Sequence, residues 1–139
     1  MESRQVDYVR SLCEEYIPSK REIPLIERDL DKLRSKLNEA KNDVEKRVIS
    51  FGIQHREEDL ERAQKVVAEY EYLVRGLDED ESIVINQLYS QGKTWDQVVD
   101  YRGNLYSRGS LSRKWNQALR NMAKRKFRLE ILSGMSKEN

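Results

Sequence analysis

The side chains best suited to chemistry in this sequence are the basic and amide groups near its C-terminus. Between Tyr101 and Leu129 the chain carries nine Lys and Arg residues and no Asp or Glu. A solvated helix face usually intersperses both signs, so a run of one sign favours a polyanionic partner, most commonly nucleic acid. Asn116 and Gln117 lie within this run, and their amides can pair with adenine as Arg pairs with guanine.

The spacing of these residues predicts one face of a helix that is capped by Ser107 and ends at about Phe127. Its apolar stripe is expected to be core and consists of Leu111, Trp115, Ala118, Leu119 and Met122. The N-terminal part of the polar face is expected to reach DNA bases through Arg108, Ser110, Ser112, Arg113, Asn116 and Gln117. Phosphate contacts are expected from Arg102, Lys114, Arg120, Lys124, Arg125 and Lys126. For each residue, ordinary surface polarity is the alternative interpretation.

Two further helices are predicted ahead of this one. Asp78 and Glu81 have the spacing of a capping box at the start of the first, and Thr94 begins a short second helix that ends near Tyr101. A short helix, a turn that contains glycine and a basic helix are typical of a helix-turn-helix. Residues 77–127 are therefore interpreted as a trihelical DNA-binding domain, and residues 128–139 as a C-terminal tail.

The elements in front of this domain are long and amphipathic. Helices are predicted at about residues 2–16, 23–50 and 57–75, with breaks at Pro18 and at Gly52. Apolar residues of the two longer helices recur in alternating steps of three and four, which is a heptad pattern. Residues 1–76 are expected to form a helical hairpin, a self-associating coiled coil or both, and to mediate oligomerisation or partner binding. The predicted fold class is all-α.

Composition argues against several other classes. One His and one Cys cannot make an ordinary zinc site, and no glycine-rich phosphate loop is present, so we expect neither a metal nor a cofactor. The acidic residues lie on exposed helix faces without a convergent nucleophile, which argues against an enzyme. No apolar run approaches a membrane span, and the N-terminus lacks a signal sequence, so a cytoplasmic protein without membrane contact is expected.

The segments GKTWDQVV at residues 92–99 and LYSRGSLSRKW at residues 105–115 resemble the ArpU/RinA-like phage transcriptional regulators of Gram-positive hosts. The C-terminal part of those proteins resembles the region-four helix-turn-helix of sigma factors. The tail ALRNMA at residues 118–123 is also similar, whereas the turn at residues 101–107 is about two residues longer than a compact helix-turn-helix needs. The resemblance implies an activator of phage late or packaging genes that binds double-stranded DNA in the bacterial host cell and acts with host RNA polymerase.

Two other functions fit the same pattern. A phage DNA-packaging protein of the small-terminase kind also joins a helix-turn-helix to helical oligomerisation segments. A helical adaptor or anti-repressor would instead use the basic helix to bind an acidic protein surface. The charge distribution suits all three: residues 1–91 carry 15 basic and 21 acidic side chains, whereas residues 92–139 carry 11 and 4.

Overall fold

The chain folds almost entirely into helices in a computed structural model that describes the backbone of residues 2–138 and the side chains of residues 4–128. The helices are α1 (Glu2–Glu39), α2 (Asp43–Arg75), α3 (Glu79–Tyr89) and α4 (Arg108–Glu138). A single 3-10 turn (Trp95–Gln97) lies between α3 and α4, and an isolated antiparallel bridge joins Val99 to Leu105. The described part of the chain contains no β-strand, and the predicted all-α class is confirmed.

The chain divides into two compact units. Residues 1–17 and 69–139 form one, here called the terminal unit, and residues 18–68 form the other, here called the hairpin unit. This division differs from the predicted boundary at residue 76, because both ends of the predicted N-terminal region belong to the terminal unit. The terminal unit therefore combines the acidic N-terminal helix turns with the basic C-terminal helix.

The core of the terminal unit draws on every helix. Tyr16 of α1 stacks on Tyr70 of α2 with ring centroids 4.0 Å apart, and both side chains are buried. The Tyr70 hydroxyl lies 3.0 Å from the hydroxyl of Ser90 and donates a hydrogen bond to the side chain of Asn86 at 3.2 Å, which fixes α2 against the end of α3. Burial and hydrogen bonding at these aromatic rings explain why residues 69–75 pack with the C-terminal helices.

The hairpin unit is built from the second part of α1 and the first part of α2. Ile26 and Leu30 of α1 are buried, and both methyl groups of Leu33 lie 3.7 Å from the position that a Cβ at Gly52 would occupy. The Arg56 guanidinium donates to the carboxylate of Asp29 at 2.6 Å, which adds a charged contact beside the apolar one. The heptad residues Ile26, Leu30 and Leu33 of α1 therefore pack within the hairpin unit of a single chain.

The predicted breaks in these helices are wrong. α1 passes through Pro18 and Pro24, and α2 passes through Gly52. A proline inside a helix removes one backbone hydrogen bond, and α1 continues through both prolines despite this loss. The chain reverses instead at residues 40–42, where the Asn42 side chain accepts a hydrogen bond from the Glu45 amide at 2.8 Å and caps α2. His55 lies within α2.

The order of elements in the C-terminal part agrees with the prediction except at its centre. Asp78 caps α3 in a capping box with Glu81, and α4 begins directly after Ser107. The second of the three predicted helices is wrong: the chain makes only the 3-10 turn and then a tight turn that Val99 and Leu105 close. α4 also extends beyond the predicted end at about Phe127.

Candidate nucleic-acid interface

The start of α4 is fixed by its cap. The Ser110 amide donates a hydrogen bond to the Ser107 hydroxyl at 3.2 Å, and the Leu111 amide donates to the Ser107 carbonyl at 2.9 Å. The bond from Ser110 satisfies an amide that a helix start otherwise leaves without a partner, and the bond from Leu111 is the first backbone bond of the helix. Leu111 is buried against Val84 and Val98, so the first turn of α4 is held to the core of the terminal unit.

The apolar stripe of α4 is core, as predicted. Leu111, Ala118, Leu119 and Met122 are buried, and Trp115 is half-buried. Because this stripe is inside, the opposite side of the helix faces solvent. The orientation of the polar face therefore follows from burial of the apolar one.

That exposed side is an open groove of about 430 Å³ along one helix. Its lining, here called the α4 polar face, consists of Arg113, Asn116, Gln117, Arg120, Asn121 and Lys124. All six side chains are cationic or amide-bearing and none is a carboxylate, which leaves nothing on this face to repel a phosphate backbone. Three of the predicted base contacts and two of the predicted phosphate contacts are brought together here.

The side chains of the α4 polar face differ in whether they already make hydrogen bonds within the protein. Among the residues that the structure describes, Arg113, Gln117 and Lys124 make no side-chain hydrogen bond or ion pair. Asn116 donates to the Ser112 carbonyl one turn earlier at 2.9 Å, so it must exchange this bond to donate elsewhere. Guanidinium and amide groups without protein partners are suited to donate to base edges or phosphates.

The other residues predicted near the helix start lie outside the groove. Arg108 is exposed and forms a long ion pair of 3.7 Å with Asp96, a contact between two solvated groups that contributes little to stability. Ser110 and Ser112 are half-buried. Lys114 is half-buried near α3, where its charge helps to lower the pKa of Asp78. These four residues flank the α4 polar face and are not part of it.

Two predicted phosphate contacts have other partners. Lys126 forms a 2.8 Å ion pair with Glu69 and lies 5.2 Å from the centre of the Tyr8 ring. The Arg125 guanidinium stacks over Tyr72 at 4.0 Å, and its side chain fills the space where a Cβ at Gly76 would sit. Both cations therefore hold α4 to α1 and α2 within the terminal unit, and we leave them out of the proposed contact set.

Arg102 lies at the tip of the tight turn that precedes α4. The Asp100 carboxylate accepts hydrogen bonds from the amides of Arg102 at 2.9 Å and Asn104 at 3.0 Å, and Gly103 takes a φ of +85° that suits glycine. The Arg102 guanidinium donates to the Tyr101 hydroxyl at 2.7 Å, and both residues are exposed. The longer turn predicted for this segment is thus an ordered structure that displays one cation.

Two contacts set the position of α4 against α3. The Asn121 amide donates to the buried Glu81 carboxylate at 2.7 Å, and the Trp115 indole donates to the Tyr89 hydroxyl at 2.9 Å. Glu81 is near the start of α3 and Tyr89 at its end, so the two helices run in opposite directions. Burial raises the pKa of Glu81, and the backbone hydrogen bond from the Glu81 amide lowers the pKa of Asp78.

Gln87 is an organising residue that the sequence analysis missed. Its buried side chain donates to the Val99 carbonyl at 2.7 Å and accepts from the Val99 amide at 3.0 Å, and Lys93 donates to the same oxygen at 3.1 Å. These bonds hold the segment between α3 and α4 in an extended conformation. The available signal was a polar residue on the buried face of α3, beside Val84 and Leu88.

The described residues form neither a candidate metal site nor a candidate membrane-spanning helix. No group of three His, Cys, Asp or Glu side chains in that part of the chain could hold a metal ion. None of the helices there has the length and apolar character that a bilayer crossing requires. Comparisons with protein-family models, with curated proteins and with solved structures find no match to this chain.

Proposed function

We propose that this protein binds double-stranded DNA through the α4 polar face and acts as a sequence-specific transcription regulator. The observation that carries the proposal is the carboxylate-free groove of Arg, Lys, Asn and Gln side chains along an exposed helix. DNA affinity comes mainly from cations near phosphates, and sequence preference comes from bidentate donors to base edges. This face offers both kinds of group.

Roles can be assigned within the groove. Arg113, Asn116 and Gln117 face solvent in the N-terminal half of α4, and we assign them to bases, with Arg108, Ser110 and Ser112 beside them at the helix start. Arg120 and Lys124 lie further along the same face, and we assign them to phosphates together with Lys114 and with Arg102 on the tight turn. An α-helix fits the major groove of B-DNA, where each base pair presents a distinct donor and acceptor pattern.

The biological setting follows from the resemblance to ArpU/RinA-like regulators. On that basis we propose an activator of phage late or packaging genes that works with host RNA polymerase in the bacterial cytoplasm. We also propose that the chain self-associates through the hairpin unit, since a dimer would read two half-sites spaced by about one helical turn.

Selection of bound duplexes from a random pool tests this function, with binding of the enriched sequence then measured against competitor DNA at several salt concentrations. A regulator should enrich one motif whose binding survives excess competitor. Enrichment of no motif together with assembly into large rings would favour a packaging protein. No DNA binding near physiological salt would contradict the proposal and favour a protein-binding adaptor.

A further inference from the structure

Asn121 differs from the other side chains of the α4 polar face, because a buried partner fixes the direction of its amide. Its Nδ2 donates a hydrogen bond to the Glu81 carboxylate at 2.7 Å, and Glu81 is only 2% exposed. An ionised carboxylate accepts hydrogen bonds and donates none, so the amide cannot turn over while this contact is made. The Oδ1 of Asn121 is therefore directed away from Glu81.

This oxygen is an acceptor within a groove that is rich in donors. In the described part of the chain no donor bonds to the Oδ1 of Asn121, and the side chain lines the open groove. Arg113, Arg120 and Lys124 line the same groove, and their cationic groups can only donate hydrogen bonds. A ligand in this groove therefore meets an acceptor at a defined place among the cations.

The contact with Glu81 is harder to replace than the similar contact that Asn116 makes. Asn116 also donates through its Nδ2, to the Ser112 carbonyl at 2.9 Å, but that contact is exposed and its acceptor is uncharged. A hydrogen bond to an ionised acceptor is stronger, and a buried carboxylate that loses its donor stays without compensation. Asn116 can exchange its partner for a DNA base, whereas Asn121 keeps its orientation.

The groups in the major groove of DNA that can donate to such an oxygen are the exocyclic amino groups. Phosphate oxygens, guanine O6 and thymine O4 are acceptors, whereas adenine N6 and cytosine N4 are donors. Each base pair presents one such amino group, on the strand that carries adenine or cytosine. An acceptor held at one place therefore distinguishes adenine or cytosine from guanine or thymine on one strand. Asn121 follows Gln117 by one helical turn, so it is the neighbour of a residue already assigned to bases.

We propose that Asn121 reads the amino group of an adenine or a cytosine at one position of the bound duplex, and that Glu81 is the positioning residue that holds its Oδ1 towards the DNA. This inference rests on the proposed DNA-binding function and deepens it. It names the class of base that one residue recognises and the buried residue behind that recognition.

Binding to the duplex enriched from a random pool tests the role of Asn121, with each position changed in turn between an amino base and a keto base. At one position the wild type should favour adenine or cytosine about three- to tenfold, the worth of one hydrogen bond. Asn121→Ala should lose this preference and keep the preferences at other positions. Asn116→Ala is the matched variant, which removes an amide from the same face and should affect a different position.

Base analogues test the same contact without changing the protein. At the position that Asn121 reads, 2-aminopurine in place of adenine, or 2-pyrimidinone in place of cytosine, removes the amino group from the major groove. Wild-type affinity should fall by about three- to tenfold, and Asn121→Ala should bind the natural and the altered duplex equally. This comparison keeps its meaning even if loss of the bond to Glu81 lowers the stability of the Asn121 variant.

Glu81→Gln tests the positioning role. Glutamine keeps an acceptor oxygen but adds an amide donor, so both orientations of Asn121 are satisfied and its Oδ1 is no longer held outward. The preference at the Asn121 position should weaken while the helical circular dichroism stays unchanged. Glu79→Gln is the control: it removes the same charge from an acid in the same helix turn and should leave the preference as in wild type. A general gain in affinity from the lost negative charge should appear in both variants.

The outcomes separate this inference from the function on which it rests. Wild-type preference at every position in Asn121→Ala, an amino group whose removal costs nothing at any position, or an unchanged preference in Glu81→Gln would overturn the inference. In those cases an enriched motif would still support DNA binding by the α4 polar face. A pool that yields no motif would overturn the proposed function, and this inference with it.

Discussion

The cations of α4 are not equivalent, and their partners decide what each can do. Lys124 lies on the α4 polar face without an ion pair among the described residues, whereas Lys126, two positions later, is paired with Glu69. A helix rotates by about 100° per residue, so two neighbours of the same type face different surroundings. Sequence composition counts both as basic, but only Lys124 lies on the α4 polar face to which we assign DNA binding.

Lys124→Ala should therefore weaken DNA binding almost equally for all sequences and reduce the slope of log affinity against log salt by about one. The measurement is fluorescence anisotropy of labelled duplexes over a salt series. Lys126→Ala serves as the matched variant and should leave the slope unchanged, although it removes the ion pair with Glu69. A loss with Lys124→Ala that is confined to one sequence would contradict the phosphate role.

Glu81 is a buried carboxylate, and burial of its negative charge lowers the free energy of unfolding. Because burial raises its pKa, the folded protein holds the proton more tightly than the unfolded chain does. Stability therefore falls as pH rises from the ordinary value of 4.5 through the raised pKa, and above that pKa the full cost of the buried charge is present. The hydrogen bonds from Asn121 and from the Asp78 amide need only an acceptor oxygen, which glutamine also provides.

Glu81→Gln should accordingly be more stable than the wild type at pH 7.5, and the difference should shrink as pH falls towards 4.5. Urea unfolding at several pH values measures this. Glu79→Gln is the control, since Glu79 is an exposed acid in the same helix turn and its loss should only weaken the favourable interaction with the helix dipole. A Glu81→Gln variant less stable than wild type at pH 7.5 would show that the carboxylate charge itself is needed.

The helices differ in how far local sequence determines them. The starts of α3 and α4 follow from Asp78 and Ser107, whose side chains satisfy amides of the first turn, and both were predicted correctly. The reversal at residues 40–42 was missed, because the cap at Asn42 is a weaker signal than Pro18 or Gly52. Both of those residues are tolerated inside helices whose packing outweighs their intrinsic cost.

The missing helix after Thr94 has a tertiary cause. Val98 and Val99 are β-branched, and the Asp100 carboxylate bonds the backbone of a turn that Gly103 completes. Above all, Gln87 occupies both polar groups of the Val99 backbone, which a helix would need for its own hydrogen bonds. Because Gln87 is 12 residues away, no local pattern around Thr94 contains this information.

Gln87→Leu should leave the Val99 amide and carbonyl without partners and destabilise the protein by about 1–3 kcal/mol for each unsatisfied group. Denaturant unfolding followed by circular dichroism measures the loss. Gln91→Leu provides the comparison, because Gln91 is exposed just after α3 and its replacement should change stability little. A Gln87→Leu variant as stable as wild type would mean that these bonds do not hold the segment.

For the whole chain, the charge pattern located an exposed cationic face of α4 but not the division into compact units. Part of the carboxylate-free segment forms the exposed α4 polar face, since the apolar stripe of the same helix is buried. The domain boundary could not be read in the same way, because Tyr16 and Tyr70 meet across 54 positions of sequence. Likewise, the sequence does not reveal that Arg125 stacks on Tyr72 or that Lys126 forms an ion pair with Glu69.

The DNA-reading role of the α4 polar face is tested most directly by the effect of Arg113→Ala on binding to the duplex enriched from a random pool. The control is Arg62→Ala, which removes one exposed cation from the hairpin unit and so matches the change in net charge. We expect Arg113→Ala to weaken binding by about 1–3 kcal/mol and to relax the sequence preference, while Arg62→Ala changes neither. Wild-type affinity and preference in Arg113→Ala, or an equal loss in both variants, would contradict the account.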